Sequence, residues 1–130
     1  MLSRRTVLIA VIAASAAAMT PAFAASPRPF DARAFADAQK AGRPILIAIH
    51  ASWCPTCKAQ NPILDKLTAD PKFRDLKIFR VDFDAMKPVV KQFGAQMQST
   101  LIVFKGTAEQ GRSVGDTKEA SIAALLDKSL

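Results

Sequence analysis

The residues whose type and spacing suit covalent chemistry are Cys54 and Cys57, the only cysteines in the chain, in the run Trp53-Cys54-Pro55-Thr56-Cys57-Lys58. A spacing of three puts the two sulfurs about one helical turn apart, close enough to close a short disulfide ring. The run follows a continuous apolar stretch, Pro44–His50, and opens a segment with helical character. Cys54 therefore falls at a helix N-terminus, where unpaired N–H groups and the helix dipole favour an anion. Thiolate is the nucleophile in disulfide exchange, so this position predicts an exposed, attacking Cys54 and a resolving Cys57 one turn inside. Pro55 suits the first helical turn, where a missing N–H costs nothing. The same pair would also suit a soft ion such as copper(I), with His50 as a third ligand, or a merely structural bond. Structural zinc wants four ligands, and the chain offers two Cys and one His.

Three neighbours have both a functional and an ordinary reading. His50, four residues before Cys54, could stabilise a thiolate or move a proton, or could be a packed residue at a strand end. Trp53 reads as an apolar wall beside the sulfurs. Lys58 adds a positive charge near the thiolate or is a solvated helix residue.

The elements that must position this pair alternate. Asp31 caps a helix over 31–40 that ends at Gly42. Pro44–His50 (PILIAIH) is a short apolar run, the mark of a strand buried on both faces. A helix over 54–68 carries the cysteines. A second strand spans 76–82, and a short helix over 85–93 stops at Gly94. A third strand, Thr100–Lys105, leads through a turn at 106–110 to an edge-like strand at 111–114. Thr117 then caps a last helix with Ile122, Leu125 and Leu126 at helical spacing. Strands alternating with helices, then a closing hairpin, predict an α/β fold: a mixed four-stranded sheet with helices on both faces. Pro27 and Pro29 make residues 25–30 read as an extended linker, and 31–130 as one domain.

Before the linker, residues 1–24 read as an export signal. A basic start with Arg4 and Arg5 precedes an apolar stretch from Val7 to Met19, and Ala22-Phe23-Ala24 is a small-residue cleavage signature. Ser3-Arg4-Arg5-Thr6-Val7-Leu8 also partly resembles a twin-arginine signal. Cleavage after Ala24 and a periplasmic destination are expected, with an uncleaved anchor as the alternative. At 130 residues, the chain excludes a multidomain enzyme, and two cysteines exclude a disulfide scaffold. The net charge of +7 falls to +5 without Arg4 and Arg5. That balance, without interleaved aromatics, gives no footprint for nucleic acid.

At the W-C-x-x-C-K run the sequence resembles the thioredoxin superfamily. The resemblance extends to Pro62 in the active-site helix, to Val81-Asp82-Phe83-Asp84, to Phe93-Gly94, to Thr100-Leu101-Ile102-Val103-Phe104-Lys105 and to Val114-Gly115. It implies a thioredoxin-like fold without thioredoxin's first strand. It also implies a thiol–disulfide oxidoreductase in which Cys54 and Cys57 form the redox-active disulfide, surrounded by His50, Trp53, Pro55, Thr56, Lys58, Ser99 and Thr100. The implied partners are protein thiols or disulfides in the exported compartment, with a membrane redox partner as a further candidate. No cofactor is called for, and a monomer is expected. Three positions depart from the family. Ser99 replaces the cis-proline before Thr100, Ala48 replaces the buried acid under the resolving cysteine, and His50 replaces a tryptophan. A cis bond before a non-proline residue costs about 2.5–4 kcal/mol, so a trans Gln98–Ser99 bond is expected.

Overall fold

The computed structural model describes residues 25–130; residues 1–24, read above as an export signal, lie outside the described residues. Five strands form one mixed sheet in the order β1-β3-β2-β4-β5. They are β1 (Pro27–Pro29), β2 (Pro44–His50), β3 (Lys77–Asp82), β4 (Thr100–Lys105) and β5 (Ala108–Val114). The helices are α1 (Ala32–Lys40), α2 (Pro55–Thr68), α3 (Lys87–Gln92) and α4 (Glu119–Asp127), with a 3-10 turn at Pro71–Phe73. β1 and β2 both run parallel to β3, while β4 runs antiparallel to β2 and to β5.

The α/β architecture and the helices on both faces are as expected; the strand count is corrected from four to five, and the expected lack of a first strand is overturned by β1. The segment read as a linker contains β1, and its pairing continues into the Phe30 N–H, which donates to the Arg80 carbonyl at 2.8 Å. Proline is barred from central strands because it has no N–H to give the ladder, but on an edge strand the missing N–H can fall on the side that has no neighbour. Two prolines therefore disguised a strand that only an edge could hold. Smaller corrections concern three boundaries. α3 begins at Lys87, and β5 starts earlier, at Ala108. α4 is entered from Lys118, and Asp116, not Thr117, supplies the side-chain acceptor for the Lys118 N–H at 2.9 Å.

Because successive side chains of a strand point to opposite faces, β2 feeds two cores. Ile45, Ile47 and Ile49 pack under α1 and α3 with Phe35, Phe79, Phe93 and Phe104. Leu46 and Ala48 pack on the other face with Phe73, Leu76, Ile122, Leu125 and Leu126, and α2 adds Ile63, Leu64 and Leu67. A strand with no exposed residue is a rigid base. Its C-terminal end delivers the chain directly into the cysteine loop and α2.

Candidate active site

Cys54 is the N-cap of α2, and its sulfur takes the role a Ser or Asp oxygen usually plays. The Cys57 N–H donates to Cys54 Sγ at 3.1 Å, and Pro55 occupies the first turn as expected. The Cys54 carbonyl accepts from the Lys58 N–H at 3.2 Å, so the first helical bond is closed as well. Both thiols are free, which makes this the dithiol form.

The expectation of an exposed Cys54 is corrected: it is 1% exposed, and Cys57 is 3% exposed. Both are packed with Ala51 and Phe83, and the Ser99 side chain closes over them. Ser99 Oγ lies 3.1 Å from Cys54 Sγ and 3.3 Å from Cys57 Sγ. Burial pushes the Cys54 thiol up. Hydrogen bonds from the Cys57 side chain, Ser99 and the Cys57 and Thr56 backbone outweigh it and hold Cys54 below the ordinary thiol range. The anion is thus favoured by converging donors rather than by exposure or by a charged neighbour.

Ser99 itself has φ +62, the left-handed region that a residue with a Cβ rarely occupies, and the Gln98–Ser99 bond is trans as expected. Its backbone is fully engaged. The N–H donates to the Ile49 carbonyl at 2.8 Å, and its carbonyl accepts from the Gly115 N–H at 3.0 Å and from Gln60 Nε2 at 3.2 Å. Thr100, next in the chain, is buried, and its hydroxyl donates to the Met97 carbonyl at 2.7 Å.

The other expected residues divide. Trp53 flanks the site, is 56% exposed, and its indole N–H donates to Asp84 Oδ2 at 2.7 Å. Pro55 and Lys58 are exposed and Thr56 half-buried on the same turn. His50 does not join the thiols. It lines a groove of about 400 Å3 with Arg28, Arg80, Asp82 and Met86. There burial and the Arg80 charge lower its pKa against the opposing pull of Asp82. Among the described residues no three His, Cys, Asp or Glu side chains converge, so nothing supports the metal-handling alternative.

Two contributors were missed by the sequence reading. Gln60, buried beneath the thiols, donates to the carbonyls of Ser99 and Asp116, at 3.2 and 2.8 Å, and so ties together the two loops that flank the sulfurs. Its signal was available: three residues beyond Cys57 on a helix, it shares the inward face with the cysteine. Asp84, the partner of Trp53, had no local signal, since the pair is 31 residues apart. Beside Ala48, Arg80 takes a partner on α2, donating to Asn61 Oδ1 at 3.1 Å.

The arrangement is a reduced dithiol at the end of a buried strand, with one sulfur held as the better anion and its partner one turn away. The sequence profile of the thioredoxin family matches residues 28–128. Thioredoxin from Chlamydia muridarum is 36% identical over 72% of this chain and 89% of its own length. Thioredoxin from Pseudomonas aeruginosa is 30% identical, covering 72% of this chain and 86% of its own. Among solved structures, Trxlp from Edwardsiella tarda superposes with a TM-score of 0.75 at 40% identity, covering 78% of this chain and 98% of that one. Family profile, curated relatives and superposed structure all span the domain that holds the dithiol, and the chain belongs to the thioredoxin family of thiol–disulfide oxidoreductases.

Proposed function

We propose that this protein is an exported thiol–disulfide oxidoreductase acting on protein substrates, with Cys54 attacking and Cys57 resolving. The observation that carries the division of labour is the hydrogen bonding of Cys54 Sγ, which the Cys57 N–H and the Ser99 hydroxyl converge upon. In the reductive direction the Cys54 thiolate attacks a substrate disulfide, forms a mixed disulfide and expels one substrate thiol. Cys57 then attacks Cys54 Sγ, the Cys54–Cys57 disulfide forms, and the second substrate thiol leaves. Two electrons pass from the dithiol to the substrate, and the reverse sequence oxidises a substrate dithiol. The potential of the Cys54–Cys57 couple relative to its partners sets the net direction.

Burial of both sulfurs fits an enzyme whose substrate must displace something to reach them. Exposed Trp53, Met97 and Val114 are apolar side chains available to a polypeptide. Export is supported by Arg4-Arg5, the apolar stretch after them and Ala22-Phe23-Ala24.

One experiment tests chemistry and compartment together. The full chain carrying Cys57→Ser is expressed in bacteria, thiols are trapped by acid, and the fractions are separated. Mixed disulfides joined through Cys54 are expected in the periplasmic fraction, on a chain beginning at Ala25, while Cys54→Ser traps none. Equal trapping by both variants would overturn the assignment of roles. A chain that keeps residues 1–24 and stays in the cytoplasm would overturn export.

A further inference from the structure

Both sulfurs are shut away from solvent, so the proton that Cys57 must lose when it attacks has to leave through the protein. Among the described residues no carboxylate or imidazole hydrogen-bonds either sulfur. Asp84 is occupied by the Trp53 indole, and Asp116 presents only its backbone carbonyl to Gln60. His50 faces the groove beside Arg80 and Asp82, Lys58 is exposed, and position 48 on the strand beneath is an alanine. Among the described residues, one side chain other than the cysteines' own is within hydrogen-bonding distance of both sulfurs: Ser99, through a hydroxyl that can donate to one while accepting from the other.

The backbone holds that hydroxyl in place at a cost. A left-handed residue with a Cβ is unfavourable by about 1 kcal/mol or more. Three hydrogen bonds on the Ser99 N–H and carbonyl over-determine it. Glycine would satisfy the same backbone without strain, so the chain carries a hydroxyl where conformation alone would favour none.

We propose that Ser99 is the positioning and proton-relay residue of the dithiol, which deepens the functional reading above and rests on its assignment of Cys54 and Cys57. In the resting dithiol its hydroxyl donates to the Cys54 thiolate and lies 3.3 Å from Cys57 Sγ, whose proton can turn from Cys54 to Ser99 Oγ. In the mixed disulfide, Cys57 Sγ attacks Cys54 Sγ. The bond between the sulfurs of Cys54 and Cys57 forms, and the bond from Cys54 Sγ to the substrate sulfur breaks with its electron pair on that sulfur. The Cys57 proton passes to Ser99 Oγ as the Ser99 proton passes to the departing sulfur. Charge and protons balance, and the serine ends as it began.

Ser99→Gly is the discriminating variant, because it removes the hydroxyl while keeping a left-handed backbone that glycine adopts without strain; Ser99→Ala, which removes only the hydroxyl oxygen and keeps the Cβ, is its companion. The reduced full chain is mixed with oxidised glutathione, quenched in acid at intervals, and the mixed disulfide is followed by mass. Without the relay, Cys57 must ionise unaided. Resolution in both variants should be about tenfold slower near pH 7 and recover toward the unmodified rate near pH 9. The midpoint for alkylation of Cys54 by iodoacetamide should rise by about one pH unit. Unchanged resolution and an unchanged midpoint would overturn the proposal. So would a slowing that is equal at every pH, since that marks displaced sulfurs rather than a missing relay. If glutathione is found on Cys57, the assignment of roles fails instead of the relay.

Discussion

The dithiol depends on a serine whose importance was visible in the sequence only as a departure. Ser99 stands where the resemblance leads one to expect proline, and the cost of a non-proline cis bond was enough to predict trans. The left-handed backbone and the hydroxyl lying between two sulfurs were not legible, because they depend on partners at Ile49, Gln60 and Gly115 that are distant in sequence. The same geometry says what restoring proline would do. Proline fixes φ near −65° and has no N–H to donate, whereas Ser99 holds φ +62 and donates to the Ile49 carbonyl. Ser99→Pro should therefore destabilise the reduced protein by about 3 kcal/mol, seen as a melting temperature lower by roughly 10 °C or more. A variant that melts higher with the same fold would show that the trans loop is not the preferred one.

Among the elements, those with strong periodicity or continuous apolar character were readable. Pro44–His50 is buried as its composition required, and α2 begins at Pro55 as the cysteine spacing required. β1 was not, because a three-residue strand has no period, and its prolines argue against every sheet position except the edge. What fixes β1 beyond its pairing is Phe30, which joins a cluster of rings at 5.5–6.0 Å from Phe93, Phe35 and Phe79. Phe35 is the hub through which α1 docks, meeting Phe30, Phe79, Phe93 and Phe104 with mostly edge-on geometry. Such pairs contribute beyond the area they bury. Phe35→Ala should cost about 3–5 kcal/mol, lowering the urea midpoint without changing the slope of the transition. A loss below about 1 kcal/mol would mean that α1 is not held by this cluster.

At the scale of the whole molecule, the displaced groups whose ordinary pKa is 9.0 or lower act in one direction, while Lys72 and Arg112, which titrate above that range, are shifted up. Asp82 is held low by the Ala85 and Asp84 backbone N–H groups, and Asp116 by the Ser121 hydroxyl and the Lys118 N–H. Burial and Arg80 hold His50 below its ordinary 6.5, and Cys54 lies below its ordinary 9.0 because its hydrogen bonds outweigh burial. For each of them the folded chain binds fewer protons than the unfolded chain between the lowered value and the ordinary one, so stability rises with pH across that interval. The carboxylates contribute this rise below 3.8, His50 below 6.5 and Cys54 below 9.0. The last interval exists only in the dithiol, because a disulfide has no thiol to titrate. The melting temperature of the reduced protein should climb from acid into the mildly alkaline range. Cys54→Ser should flatten only its upper part, and His50→Gln only the part below 6.5. Thermal melts of the reduced protein and both variants from pH 4 to 9 provide the check. A reduced protein whose alkaline slope matches that of Cys54→Ser would mean that the hydrogen bonds converging on Cys54 do not favour its thiolate.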